Sequence, residues 1–102
     1  MYAAYELNAP VYIRIGRSVD PVVHTSPVSF KIGRGIEMNK GEKAVLFVTG
    51  TMLKDGVKAT EILKSDGINI SLYSMPTIKP IDRELIEDAM GKYDYIFTLE
   101  EH

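Results

Sequence analysis

Apolar residues in the second half of the chain follow the spacing of strands and helices. Ala44 to Val48 is a nearly continuous apolar run, which is typical of a strand covered on both faces of a parallel sheet. After Gly50, a helix is predicted because apolar residues recur on one of its faces. These residues are Leu53, Val57, Ile62 and Leu63. Thr51 is the predicted N-cap of this helix and Gly67 its predicted end.

A second strand is predicted from Ile68 to Tyr73, where Ile68, Ile70 and Leu72 alternate with polar residues. The order strand, helix, strand within about 30 residues predicts a βαβ unit with a right-handed crossover.

A second helix and a third strand follow this unit. Asp82 is predicted to cap a helix from Arg83 to Met90 that stops at Gly91. Tyr93 to Leu99 is predicted to be a third strand of the same parallel sheet. That strand would carry Glu100, Glu101 and His102 to its carboxyl end.

The first part of the chain has a different pattern. Residues 1–9 favour the last turns of a helix, which Pro10 would end. Val11 to Ile15 alternates apolar and polar residues, so it predicts a strand. Residues 18–29 are rich in Pro and Ser without periodicity, which indicates a linker. The glycines between Phe30 and Met38 predict a short hairpin there.

The composition excludes several classes of protein. The chain has 102 residues, of which 45% are hydrophobic and 25% charged, and its formal net charge is -2, so neither nucleic acid nor an anionic membrane surface is a predicted partner. The absence of cysteine excludes disulfides, thiolate nucleophiles and zinc-thiolate sites. No apolar run approaches the roughly 20 residues of a membrane helix. A cytoplasmic protein is therefore expected.

Two segments carry a family resemblance. A strand leads into Thr77-Ile-Lys-Pro-Ile-Asp82, a helix follows, and the next strand ends in Glu100-Glu-His102. This order and spacing resembles the C-terminal domain of transketolases, which are thiamine-diphosphate-dependent enzymes. The segment Pro10-Val-Tyr-Ile-Arg-Ile-Gly-Arg17 is similar to the end of the domain that binds the cofactor's pyrimidine in that family.

The resemblance implies an α/β fold with a mainly parallel, three-layer sheet of the transketolase C-terminal type, truncated and preceded by a short helix-strand remnant. Residues 1–17 would end the pyrimidine-binding domain, 18–29 would form the linker, and 30–102 would form a partial C-terminal domain. A last parallel strand without a covering helix leaves an apolar face open. We therefore expect a fragment that is prone to partial unfolding or oligomerisation.

The resemblance also implies a reaction, the transfer of a two-carbon ketol unit between sugar phosphates with thiamine diphosphate and Mg²⁺. The family holds the metal and the diphosphate with a Gly-Asp-Gly motif, which is absent from this sequence. We therefore expect this chain alone to bind no cofactor and to be inactive. The implied partners are the remaining transketolase domains or a subunit that carries them, a second copy in a homodimeric full enzyme, and sugar phosphates of the pentose phosphate pathway.

Arg17 is the predicted substrate-binding residue. It directly follows the predicted strand Val11 to Ile15, where ligands of parallel α/β sheets bind, and a guanidinium can hold a phosphate through two hydrogen bonds. In the family, an arginine after this strand contacts the phosphate of the sugar substrate. The alternative is a linker arginine in a surface ion pair. Arg14, on the opposite face of the strand, is interpreted as structural.

Two further groups are candidates for chemistry. Carboxylates beside an imidazole, as in Glu100, Glu101 and His102, can perform acid and base steps. Adjacent strand residues face opposite sides, however, and we interpret this ending as a domain-interface or loop-capping element. Gly50 and Thr51 form a strand-to-helix turn that can bind an anion, although no nucleotide-binding glycine motif is present.

Two classes of function remain open from the sequence. The chain is either part of a transketolase, or of a related deoxyxylulose-phosphate synthase or 2-oxoacid dehydrogenase beta subunit, or it is an independent regulatory or interaction module that shares the fold.

Overall fold

The computed structural model of the chain describes residues 1–16 and 21–101. In chain order its elements are α1 (Tyr2–Glu6), β1 (Ile36–Asn39), β2 (Ala44–Val48), α2 (Leu53–Ser65), β3 (Ser71–Ser74), α3 (Arg83–Lys92) and β4 (Tyr95–Leu99), with a short 3-10 helix (Gly50–Met52) before α2.

The four strands form one sheet in the order β1-β3-β2-β4. β2 lies in the centre and pairs in parallel with both β3 and β4, so that Val45 lies opposite Ser71 on one side and Ile96 on the other. β1 pairs antiparallel with β3 at the outer edge. The predicted α/β fold class and its three parallel strands are therefore confirmed.

Helices cover the two faces of β2. On one face α2 lies so close to the sheet that a Cβ on Gly56 would be 2.8 Å from Val48 Cγ2. On the other face, Val45 and Phe47 belong to a buried cluster with Ala89 of α3 and with Tyr93. Residues of β2 alternate between these two layers, which explains why its sequence is apolar throughout.

The predicted hairpin between Phe30 and Met38 is wrong. This segment contains only β1, whose partner is β3 rather than a neighbouring strand of its own hairpin. The glycines that suggested the hairpin are bound by side chains from a later turn. The backbone nitrogen of Gly33 donates to Thr77 Oγ1 at 2.8 Å, and that of Gly35 donates to Asp82 Oδ2 at 2.8 Å.

The predicted strand from Val11 to Ile15 is also wrong, whereas the preceding helix is confirmed as α1. Within the described residues, the sheet contains only strands from Ile36 onward, and Val11 to Ile15 is not part of it. A strand is defined by hydrogen bonds to a neighbour. Without one the apolar side chains stay open to solvent, and Ile15 is 73% exposed.

The boundaries of α2 differ from the prediction at one end. Thr51 lies in the 3-10 helix and does not cap α2, whose N-cap is Met52 without a side-chain hydrogen bond. Gly67 ends the helix as predicted, because it adopts a left-handed φ of 79° that favours glycine. The buried face of α2 contains Gly56 and Thr60. Ile62, predicted to be on that face, is 55% exposed.

The later elements follow the prediction with shifted ends. Asp82 is the N-cap of α3 and accepts a hydrogen bond from the backbone nitrogen of Leu85. α3 continues through Gly91, so the predicted stop there is wrong. It ends instead where Tyr93 turns to extended backbone. The side chain of Tyr93 is buried, and its hydroxyl lies 2.7 Å from that of Ser71, so this buried contact accompanies the end of the helix.

Candidate functional site

The three parallel strands end at one edge of the sheet, which we call the carboxyl edge. At this edge, the residue that follows β2 and the residue that follows β3 each donate a backbone hydrogen bond to the last residue of a neighbouring strand. Thr49 N donates to Leu99 O at 3.1 Å, and Met75 N donates to Val48 O at 2.8 Å. Ligands of open α/β sheets bind outside this edge, so a binding site is expected there.

A side chain from the beginning of the chain reaches the carboxyl edge. Arg14 Nη2 donates to Glu101 Oε2 at 2.8 Å, and Thr51 Oγ1 donates to the other carboxylate oxygen of Glu101. The Arg14 side chain is 67% exposed and that of Glu101 is 38% exposed. Glu101 therefore joins three segments: the one before the linker, the turn after β2, and the residues after β4. We call this arrangement the Glu101 clasp.

The sequence interprets Arg14 as structural and Glu101 as part of a domain-interface or loop-capping element, and both interpretations stay predictions. Arg17, the predicted phosphate contact, and His102 lie outside the described residues. The role of Arg17 therefore stays a prediction.

The clasp was missed by sequence reasoning because Arg14 and Glu101 are 87 positions apart. Nothing in the sequence around either residue indicates that the two side chains are in contact. The only sequence signal is that Glu101 follows a predicted parallel strand directly, which places it at the carboxyl edge.

The turn at Gly50 and Thr51 does not fit a diphosphate. Its threonine hydroxyl already donates to the carboxylate of Glu101, so this hydroxyl is not available to bind a diphosphate. Among the residues that the structure describes, no group of three or more His, Cys, Asp or Glu side chains could hold a metal ion. Among the described residues, neither this turn nor any group of acidic side chains therefore fits thiamine diphosphate with Mg²⁺.

A second polar cluster joins the entry of β1 to the start of α3. Asp82 is 6% exposed. Its two oxygens accept from the backbone nitrogens of Leu85 at 3.1 Å and Gly35 at 2.8 Å. Arg34 Nη1 lies 3.5 Å from Asp82 and 2.6 Å from Glu84 Oε2, and Glu84, followed by Asp82, raises the pKa of Arg34. The hydrogen bonds satisfy both carboxylate oxygens, which indicates a structural role.

Two tyrosines form a third polar group, on the face that α3 covers. Tyr73 donates its hydroxyl to Glu37 Oε2 at 2.8 Å. Burial, and then this contact with Glu37, raise the pKa of Tyr73 well above its ordinary value. The hydroxyls of Ser71 and Tyr93 meet nearby, 2.7 Å apart. A phenol with a raised pKa stays protonated at neutral pH, so Tyr73 serves as a hydrogen-bond donor.

A family model described as "Transketolase, C-terminal domain" matches residues 33–102. The chain belongs to the transketolase C-terminal domain family. The match begins at Gly33, whose backbone nitrogen donates to Thr77 Oγ1, and it includes all four strands. It therefore confirms the resemblance carried by the Thr77 to Asp82 turn and by the residues after β4.

Relatives with different names resemble the chain to a similar degree. It is 34% identical over 95% of its length to a putative transketolase C-terminal section of Methanocaldococcus jannaschii, of which it covers 30%. It is 36% identical over 94% of its length to a 1-deoxy-D-xylulose-5-phosphate synthase of Caldanaerobacter subterraneus subsp. tengcongensis, of which it covers 16%. One of the subunits of an apulose-4-phosphate transketolase from Actinobacillus succinogenes is 31% identical over 96% of the chain, which covers 32% of that protein.

The fold has a close counterpart among solved structures. A chain titled "Split gene transketolase, inactive beta4 tetramer" superposes with a TM-score of 0.89 and 35% identity over 97% of this chain, which covers 33% of that chain. The chain thus spans a third or less of these similar proteins. None of the helices in residues 1–16 and 21–101 has the length and apolar character needed to span a bilayer.

Proposed function

We propose that this chain forms the C-terminal portion of a thiamine-diphosphate-dependent transketolase that transfers a two-carbon ketol unit between sugar phosphates. In this proposal Arg17 binds the phosphate of the sugar substrate. The chain alone binds no cofactor and is inactive. The full enzyme is a cytoplasmic homodimer of the pentose phosphate pathway. Family membership and relatives named as transketolase sections or subunits support the proposal.

The observation that carries the proposal is the contact between Arg14 and Glu101. Arg14 Nη2 lies 2.8 Å from Glu101 Oε2 at the carboxyl edge, and Arg17 follows three positions later in the sequence. In this proposal the phosphate of the sugar substrate binds near the carboxyl edge, which is the usual position of ligands in parallel α/β sheets.

Exposed apolar surface supports assembly with further domains. Tyr2, Tyr5 and Tyr12 are each about nine-tenths exposed, and Tyr95 and Phe97 of β4 are 62% and 53% exposed. Large apolar side chains that are open to solvent are typical of surfaces that contact another protein. In this proposal it is covered by the rest of the transketolase, which also holds thiamine diphosphate and Mg²⁺.

The role of Arg17 is tested in the full enzyme, assembled from this chain and the upstream domains that bind the cofactor. Arg17→Ala should raise KM for phosphorylated sugars roughly ten- to a hundredfold, because a hydrogen bond to a charged group contributes about 1.5–3 kcal/mol. KM for an unphosphorylated ketol donor should not change. The matched control is Arg83→Ala, which removes an arginine that is 85% exposed and pairs with Glu87. An unchanged KM for phosphorylated sugars would refute the role of Arg17.

The inactivity of the chain alone has a direct test. Titration of thiamine diphosphate with Mg²⁺ into the isolated chain, followed by calorimetry, should give no binding heat. Saturable binding would contradict the proposed division between this chain and the rest of the enzyme.

A second candidate reaction is favoured by the relatives named 1-deoxy-D-xylulose-5-phosphate synthase, one of which is 36% identical to the chain. The assembled enzyme should be assayed for ketol transfer between sugar phosphates and for formation of 1-deoxy-D-xylulose-5-phosphate. Product of the second kind, without ketol transfer, would assign the chain to the synthase and not to a transketolase.

A further inference from the structure

A cavity of about 280 Å³ lies between α2 and the side of the sheet that carries β1, close to the lower end of the volumes of small-molecule sites. We propose that it binds a small zwitterion with an aliphatic side chain, such as the free amino acid leucine. The aliphatic group contacts the apolar lining, and the two charged groups pair with Glu61 and Lys64. Such a site goes beyond the proposed function, because none of its residues takes part in it.

The apolar lining of the cavity comes from separate parts of the chain, which are α2, β1, β3 and the segment before β1. The residues concerned are Val57, Met38, Leu72 and Val23. Leu72 is 1% exposed, so its wall belongs to the packed interior, whereas the other three residues are half-buried. An aliphatic group that displaces water from these walls removes apolar surface from solvent, which favours binding.

Two opposite charges accompany the apolar lining. Glu61 and Lys64 both line the cavity, and they lie three positions apart on α2, so that they are neighbours on one face of the helix. An ammonium group can pair with the carboxylate of Glu61 while a carboxylate pairs with the ammonium group of Lys64. A free α-amino acid carries both groups on one carbon atom, so a single small molecule can bind both side chains.

Neutral oxygen atoms add to the recognition of an ammonium group. Asn39 lines the cavity, and its side-chain nitrogen donates to Asn69 Oδ1 at 3.1 Å and to Ile70 O at 2.7 Å. These bonds fix the amide and leave its carbonyl oxygen as an acceptor. Thr60 also lines the cavity, and since its hydroxyl donates to Val57 O at 2.7 Å, its oxygen serves a ligand as an acceptor. Groups that are fixed before binding lose less entropy when the ligand arrives.

The charges of the lining distinguish a zwitterion from a sugar phosphate. Glu61 is the acidic residue of the lining and Lys64 is the basic one. A phosphate monoester is anionic and has no cationic group, so it would be attracted by Lys64 and repelled by Glu61. An amino acid meets a favourable charge at both residues.

A set of ligands that each differ from leucine by one group tests the site. Each ligand is titrated into the isotope-labelled chain, and binding is followed by the NMR shifts of the backbone amides. Leucine should bind with a Kd in the millimolar range and shift the amides of Met38, Asn39 and Thr60. Glycine, which lacks the aliphatic group, should bind roughly ten- to a hundredfold more weakly. Isoamylamine lacks the carboxylate and isocaproate lacks the amino group, and each should bind about two- to fivefold more weakly than leucine.

Two substitutions assign the charged contacts. Lys64→Ala should remove the preference for leucine over isoamylamine and keep the preference for leucine over isocaproate. Glu61→Ala should reduce the preference over isocaproate and keep the preference over isoamylamine. The matched controls are Lys58→Ala and Asp55→Ala, which remove exposed charged residues of α2 that do not line the cavity. Neither control should change a preference.

Several outcomes would overturn the site. These are the absence of saturable shifts with leucine, equal binding of leucine and glycine, and shifts confined to residues outside the cavity lining. A change of either preference in Lys58→Ala or Asp55→Ala equal to that in the cavity variants would also overturn it, since the general charge of the helix would then explain the binding. None of these measurements involves ketol transfer, so the site can fail while the proposed function stands, and the reverse.

Discussion

One carboxylate oxygen of Asp82 accepts a hydrogen bond from the backbone nitrogen of Gly35, 47 residues earlier in the chain, at 2.8 Å. The other oxygen accepts from the backbone nitrogen of Leu85 at 3.1 Å and caps α3. A single buried side chain thus holds the entry to β1 and the first turn of α3 together.

Asp82→Ala should lower the free energy of unfolding by about 2–4 kcal/mol. Loss of an N-cap costs about 1 kcal/mol, and leaving the nitrogen of Gly35 without its partner costs about 1–3 kcal/mol more. Urea denaturation of the isolated chain measures the change. Asp88→Ala is the control, since Asp88 is an exposed acidic residue of the same helix. Equal midpoints for the two variants would contradict the double role of Asp82.

Two glycine-to-alanine substitutions should change stability in opposite directions. A Cβ on Gly41 would overlap the backbone carbonyl carbon of Ile70 and lie 2.6 Å from Asn69 O, so Gly41→Ala should cost about 1–3 kcal/mol. Gly91 lies within α3 and a Cβ there meets nothing within 4 Å. Gly91→Ala should therefore stabilise the chain by about 0.5–1 kcal/mol.

Thermal unfolding checks this pair of substitutions, because each kcal/mol shifts Tm by roughly 4–8 °C in a domain of this size. Gly41→Ala should unfold at a lower temperature than wild type and Gly91→Ala at a higher one. A lower Tm for Gly91→Ala would show that the helix does not continue through this position.

Tyr73 should make stability fall at alkaline pH. Its pKa is raised in the folded chain, first by burial and then by Glu37, so on raising the pH the phenol ionises first in the unfolded chain. Its contribution is fully present below pH about 10, the ordinary tyrosine pKa, and is lost as the pH rises above that value. Between pH 9 and pH 11, chosen to span about that value, urea denaturation should show a smaller loss of stability for Tyr73→Phe than for wild type.

Tyr12→Phe is the control for this pH dependence, since the side chain of Tyr12 is 90% exposed, and it should behave as wild type. A direct measurement is the ultraviolet titration of the folded chain, in which the tyrosinate of Tyr73 should form above the ordinary tyrosine pKa of about 10. Glu37→Gln should lower the pH at which this tyrosinate forms, because Glu37 raises the pKa of Tyr73. Formation of the Tyr73 tyrosinate at the ordinary tyrosine pKa of about 10 would contradict the raised pKa.

The edge strand β4 should promote self-association of the isolated chain. Tyr95, Ile96 and Phe97 are 62%, 40% and 53% exposed, and an apolar edge strand without charged residues offers its free backbone groups to another chain. Phe97→Lys should therefore reduce concentration-dependent oligomers, as measured by light scattering after size exclusion. Ile62→Lys is the matched control, because Ile62 is 55% exposed and belongs to a helix, α2, rather than to a strand. An equal reduction in both variants would point to general surface hydrophobicity.

Local sequence patterns predicted the strands and helices that can be recognised from residues a few positions apart. The continuous apolar run from Ala44 to Val48 indicated the central strand, and Asp82 indicated the start of α3; both were confirmed. These signals act between residues a few positions apart, where backbone geometry alone sets the distances. The same reasoning failed for Val11 to Ile15, because alternation describes a strand only when another strand lies beside it.

The sequence by itself determined the parallel sheet, the helices that cover it and the family to which the chain belongs, since each of these depends on residue order and short spacings. Only the tertiary structure decided that Gly35 is bound by Asp82, that β1 pairs with β3, and that Arg14 meets Glu101 at the carboxyl edge. Contacts between residues so far apart in the chain depend on how every helix and strand between them packs. A repeat of a few residues in the sequence carries no information about that packing.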